Sequence, residues 1–172
     1  MGSSFGVLGP RCQIVKRMVD EATQQGEFVG PVIGPIGLYC RIQPGKEELE
    51  LSAESAIGDR VFDRFVVHND ADRKRFSQIR RDAGCQQDCE LFQQFQHKRY
   101  EVPPPPQGVE TFATVVSIQN DLIFNCLVDN ARIEETIISW IQNIRVYRWI
   151  SVKRKKTPLN HFQPISSAGI LE

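Results

Sequence analysis

Two stretches of the chain carry basic side chains where they would meet phosphate. In the first, Lys98 and Arg99 stand directly before Tyr100. Single-stranded nucleic acid is bound by this mix of residue types, bases stacking on a ring while cations meet the phosphates. In the second, ADRKRFSQIRRDAG over 71–84, helical spacing gathers Phe76, Ile79 and Ala83 on one face. The opposite, exposed face then holds Arg73, Lys74, Arg80 and Arg81. If that face contacts phosphate, its affinity falls with salt. Ordinary roles compete at both places. Asp70, Asp72 and Asp82 partly neutralise the helix, as on a solvated face of mixed sign, and Tyr100 equally suits a strand residue packed on a core.

Catalytic signatures are missing. Gly45-Lys46 is followed by Glu47, which repels phosphate and lacks the hydroxyl with which a phosphate loop ligates magnesium. There is no Gly-x-Ser-x-Gly elbow and no His-Glu-x-x-His helix. No pair of carboxylates is marked out for acid–base work. Cys12, Cys40, Cys85, Cys89 and Cys126 are odd in number and scattered, which favours free thiols over a disulfide framework. Cys85 and Cys89 do not have the usual zinc spacing, and neither His68 nor His97 completes a set. The sequence therefore predicts no metal, no cofactor and no enzyme.

The elements that would position the basic groups are legible in outline. The pattern of Ile14, Val15, Met18, Val19 and Ala22 predicts an amphipathic helix over 11–25, stopped by Gly26. Gly34, Pro35 and Gly37 form a turn that leads the chain into a strand over 38–42. A helix over 46–57 follows, striped by Leu49, Ala53, Ala56 and Ile57. Clustered aromatic and β-branched residues predict a strand over 64–68, and Asn69-Asp70 caps the basic helix. A third strand is expected over 90–102. Pro103 to Pro106 then read as a stiff connector or as a ligand for a proline-recognising module. A fourth strand is expected over 111–118, a buried helix capped by Asp121 from 122, and a further helix over 130–139. Strands alternating with helices make an α/β domain.

The bulk properties set limits on partners. The chain has 172 residues, with Lys+Arg and Asp+Glu balanced at 21 each, so any electrostatic role must come from local patches. No apolar run reaches membrane-spanning length, and MGSSFG has no basic-then-apolar secretory pattern. No membrane partner and no leader are expected.

Taken in order, GPIGLYCRI, ELSAESAIGD, DRFVVHNDADRKRFSQIRRDAGC, FQQFQHKRYEVPPPP and TFATVVSIQNDLIFNCLVDNARIEETI resemble the hinge domain of structural-maintenance-of-chromosomes (SMC) proteins, most of all the subunit-six type. The resemblance runs over about 25–138 and divides the chain into a leading helix (1–26), a hinge-like domain (27–139) and a divergent basic segment (140–172). It implies an α/β fold, a mixed sheet with flanking helices, at the far end of a coiled coil. It also implies pairing with the hinge of a partner SMC subunit of the subunit-five type, single-stranded DNA binding, and work in DNA repair and chromosome maintenance in the nucleus. Arg73, Lys74, Arg80, Arg81, Lys98, Arg99 and Tyr100 are the residues this sequence offers to DNA. Beyond Ser139 the residues do not follow the hinge pattern, and a divergent or incomplete second lobe is expected. There Arg145 to Lys156 hold six basic residues and no acid, either a nucleic-acid or nuclear-import patch or a truncated end without a role of its own. No coiled-coil heptads flank the domain.

Overall fold

The computed structural model describes residues 10–85, 89–92, 98–138, 147–149 and 162–164. In chain order these form α1 (Pro10–Gln24), a 3-10 turn (Ile36–Tyr39), β1 (Cys40–Ile42), a second 3-10 turn (Glu47–Leu49), α2 (Glu50–Ile57), α3 (Asp59–Phe62), β2 (Phe65–Val67) and α4 (Asp70–Asp82). Then come β3 (Glu90–Phe92), α5 (Phe112–Val115), β4 (Val116–Ile118), α6 (Asp121–Ala131), β5 (Tyr147–Trp149) and β6 (Phe162–Pro164). The α/β class is as expected. Among the described residues the strands pair two by two, in both senses: β1–β4 antiparallel, β2–β3 parallel and β5–β6 antiparallel.

The buried strand β2 stands between two hydrophobic cores. Successive side chains of a strand point to opposite faces. Phe65 and Val67 accordingly join Cys12, Val15, Val19 and Ala22 of α1 and Phe76 and Ile79 of α4, with the Phe65 and Phe76 rings 5.2 Å apart. Val66 faces the larger core, made by β1, β4, α2, α3, α5 and α6 around Phe62 and Phe112. A strand buried on both faces reads as an unbroken apolar run, which is why Phe65-Val66-Val67 was recognisable from sequence.

Gly34 belongs to this wall. The segment it sits in is bonded to β2 through Ile33 and Val66, which exchange N–H···O bonds of 3.1 and 2.7 Å, and through Ile36 N–H donating to Arg64 O at 2.9 Å. A Cβ on Gly34 would lie 2.7 Å from Phe65 Cδ1 and 2.8 Å from Phe65 Cα. Gly34, Pro35 and Gly37 are all buried. They do not lead directly into a strand: a 3-10 turn intervenes and β1 starts only at Cys40. Replacing Gly34 by Ala presses a methyl group against backbone, so a loss of about 1–3 kcal/mol is expected, seen as a lower midpoint in urea unfolding. An unchanged midpoint would show that β2 can retreat.

Four expectations are corrected. Residues 111–118 are not one strand. The Thr111 N–H donates to Thr114 Oγ1 at 2.9 Å and Thr114 Oγ1 to Glu110 Oε2 at 2.7 Å, and this side-chain competition for the backbone folds 112–115 into α5 before β4 begins. The cap of α6 is Asn120, whose Oδ1 accepts the Ile123 N–H at 3.1 Å, and Asp121 is the first helical residue. The second helix expected over 130–139 is not there: 130 and 131 end α6, 132–138 are not helical, and 139 lies outside the described residues. Arg132 adopts a left-handed φ of 49°, and the chain turns back so that Thr136 O accepts from Phe112 N and Ile138 N donates to Glu110 O, both at 2.8 Å. Lys46 fastens the same region by donating to Glu110 Oε2 (2.7 Å) and Thr114 O (2.9 Å). That bond holds the Glu110 carboxyl below the usual carboxylate range. Of the expected third strand only Glu90–Phe92 is a strand, 98–102 are not, and 93–97 lie outside the described residues, as does most of 140–172.

Candidate nucleic-acid interface

Helix α4 is set rigidly, which fixes where its charges point. Asn69 Oδ1 accepts the Asp72 N–H at 2.7 Å. Asp70 and Asp72 in the first turn and Arg80 and Arg81 in the last complement the helix dipole. Asp72 itself is buried, 1 % exposed. Its carboxylate accepts from Val29 N (2.7 Å), Gly30 N (2.9 Å) and Asn69 Nδ2 (2.6 Å), tying the start of α4 to the loop after α1.

On the outer side of α4, Arg73, Lys74 and Arg81 come together around an open depression of about 340 Å³ that Asp70, Ser77 and Glu90 complete. Glu90 sits at the start of β3 and draws two of the basic residues toward itself: Arg73 Nε lies 3.5 Å and Arg80 Nε 3.8 Å from its carboxylate, and Ser77 Oγ donates to it at 3.3 Å. Arg80 is thereby corrected from the exposed face to a half-buried position, its side chain only 13 % exposed. Spacing along the helix could not show this, because the parallel pairing of β3 with β2 brings Glu90 in from outside the helix. Lys74 is exposed and carries no ion pair among the described residues. Arg81 is exposed and, among the described residues, its guanidinium donates only to Gln78, at 2.8 Å.

Lys98, Arg99 and Tyr100 lie elsewhere, in the loop along α6. The Arg99 guanidinium stacks 3.6 Å above the centroid of the Phe124 ring and donates to Ile118 O (3.0 Å) and Asp121 Oδ1 (3.1 Å). Asn125 clamps the loop, accepting from Tyr100 N and donating to Lys98 O, both at 2.8 Å. The Tyr100 ring is half-buried against the larger core and its hydroxyl donates to Asp129 at 3.1 Å. Desolvation, then the Asp129 bond, raises the phenol's pKa. Lys98 is open to solvent beside Glu101, 2.9 Å away. Arg99, Tyr100, Pro103 and Phe124 line a second depression of about 480 Å³. Of the seven residues, Arg73, Lys74 and Arg81 line the first depression, Arg99 and Tyr100 line the second, and Arg80 and Lys98 line neither; Arg99 and Tyr100 are engaged in holding the fold. Glu90, Phe124 and Asn125, which set these positions, carried no local signal in the sequence. Among the described residues no group of His, Cys, Asp and Glu is placed to hold a metal ion, and no helix is long and apolar enough to cross a membrane.

No family model matches the chain. The human protein "Structural maintenance of chromosomes protein 6" is 25% identical over 167 residues, 94% of this chain but only 15% of that protein. The crystal structure of the S. pombe Smc5/6 hinge domain superposes with a TM-score of 0.57 at 19% identity, over 74% of this chain and 51% of the other. The chain therefore spans a small part of the human relative and about half of the solved hinge chain. Both comparisons bear out the resemblance seen in the sequence, and the fold is that of an SMC hinge.

Proposed function

From the hinge fold as premise, we propose that the chain is a non-catalytic hinge module of an SMC protein of the five–six type. So read, 27–139 are the hinge unit, 1–26 carry the leading amphipathic helix and 140–172 are a divergent basic segment. In this reading it pairs with the hinge of a partner subunit of the subunit-five type, binds single-stranded DNA, and serves DNA repair and chromosome maintenance in the nucleus. The observation that carries the DNA part is the gathering of Arg73, Lys74 and Arg81 at one depression on α4, with Lys74 unpaired. The test is binding of an unstructured oligonucleotide measured across salt. Contacts by three cations to a single strand give a log–log slope of about −2, and no binding at low salt, or a flat response, overturns the reading. Pairing is tested by sedimentation of the chain mixed with a subunit-five hinge, where a heterodimer is expected and separate monomers count against it.

A second reading has its own support. Glu90 lies within 3.5–3.8 Å of two of the basic residues, and Asp70 stands on the same rim. That is the arrangement of a solvated, self-compensated helix in a stand-alone α/β interaction domain without nucleic-acid binding, and the same salt titration separates the two.

A further inference from the structure

The depression along α6 differs in chemistry from the basic patch on α4. Pro103, Pro104 and Pro105 make one wall of it, together with Val102, Ala113 and Phe124. This wall is held at both ends. Asn125 clamps Lys98 and Tyr100 and Val102 packs on the larger core, while the Val109 N–H donates to Pro106 O at 3.0 Å. Proline fixes its own φ and keeps the residue before it extended, so the wall is preformed.

Three charged residues line the depression, Arg99, Glu101 and Glu134. Two are taken. Arg99 is stacked on Phe124 and bonded to Ile118 O and Asp121, and Glu101 lies 2.9 Å from Lys98. Glu134 is the exception: its Oε2 is buried and has no hydrogen-bond partner among the described residues. Desolvation raises its pKa, and Glu135 and Asp129 add to that against its own backbone N–H and Arg132. Arg132 itself leans towards Glu135, 3.6 Å away. A carboxylate withdrawn from water without a partner is costly, and a cation brought into the depression relieves that cost.

The rest of the lining selects the form of the cation. Prolines present carbonyl acceptors and apolar rings but no N–H. Tyr100 and Thr114 donate to Asp129 and Glu110, within the fold. The site is therefore rich in acceptors and poor in donors. An arginine side chain is its complement, with five N–H donors, no acceptor and an apolar stem.

We infer that this depression takes an arginine side chain of a protein partner, its guanidinium on the Glu134 carboxylate and its stem along the proline wall. The volume of about 480 Å³ lies in the range of small-ligand sites. Arginine is favoured over lysine because its planar fork can meet a carboxylate with two N–H groups. The site is separate from the one proposed for DNA and does not depend on it.

The experiment is a titration of the full chain with N-acetyl-arginine amide, followed by amide NMR. Saturable shifts are expected at Tyr100, Ala113 and Glu134, with a dissociation constant of about 1 mM for a probe of this size. N-acetyl-citrulline amide has the same shape without the charge and should bind about tenfold more weakly. In Glu134→Gln, whose spectrum also reports that it is folded, the two probes should bind alike. The comparison of the two probes on the parent chain stands even if that variant does not fold. Absence of saturable shifts at these amides, equal binding of the two probes to the parent chain, or a folded Glu134→Gln that still prefers arginine would each overturn the inference. So would tighter binding of deoxycytidine or thymidine at the same amides, which would make this a nucleobase site.

Discussion

Replacing Asp72 by Ala is expected to lower the thermal midpoint by about 6–20 °C. One carboxylate accepts from two backbone N–H groups and one side-chain amide, and it is 1 % exposed. Hydrogen bonds to a charged group each contribute roughly 1.5–3 kcal/mol, and donors left without a partner add to the loss. Water reaches the exposed Val29, so the total is discounted to about 3–5 kcal/mol. At about 2–4 °C per kcal/mol for a chain of this size, that gives the stated shift. Alanine also frees the Asn69 amide, loosening the cap on which α4 starts. Asn at position 72 keeps the shape and one acceptor oxygen, so its loss should be smaller. Thermal unfolding followed by circular dichroism reads both. A midpoint within about 3 °C of the parent for Asp72→Ala would show that the loop after α1 is held chiefly by the apolar contacts around Phe28 and Val32.

Asp72 also shows what a sequence can and cannot disclose. Its place in the first turn of a helix opened by Asn69 was legible, because capping is local chemistry three residues long. Its partners were not, since Val29 and Gly30 stand 43 and 42 residues away. The same division runs through the molecule. The helix at 10–24, the buried strand Phe65–Val67 and the basic helix were readable from spacing, caps and a stop glycine, Gly84, with φ +68°. Residues 111–118 were misread because β-branched residues favour strands, while the hydroxyl of Thr114 offers the backbone a turn and Thr136 and Ile133, distant in sequence, supply acceptors for it. The basic patch was half legible. A helical wheel assigns faces to α4 alone, and Glu90, which takes Arg80 inward, arrives on another strand. Arg99 and Tyr100 were named for their chemistry, but Phe124 and Asn125 on α6 decide how they are held.

Reversing Arg73, Lys74 and Arg81 to Glu together is expected to abolish the salt-sensitive part of single-stranded DNA binding. A cation that neutralises a single-strand phosphate contributes about 0.7 to the log–log salt slope. Three of them give a slope near −2, so the parent chain should lose about 20-fold in affinity between 50 and 200 mM salt. The triple variant should bind weakly at low salt and show a slope close to zero. Stability should change little. The Arg73 side chain is 53 % exposed, so a glutamate there can turn into water away from Glu90, and Lys74 and Arg81 have no ion pair among the described residues. Arg80→Glu is the instructive contrast. It places a carboxylate against Glu90, itself only 12 % exposed, so the fold should weaken before any effect on DNA can be read, and a pair of reversals at 80 and 81 would confuse the two. Lys98→Glu, on a side chain 85 % exposed, reports on the loop along α6, away from the depression on α4. If the triple variant keeps both affinity and slope while Lys98→Glu loses them, the interface lies along α6. If none of these substitutions alters binding, the charges of α4 are a solvated face and the domain acts through protein contacts only.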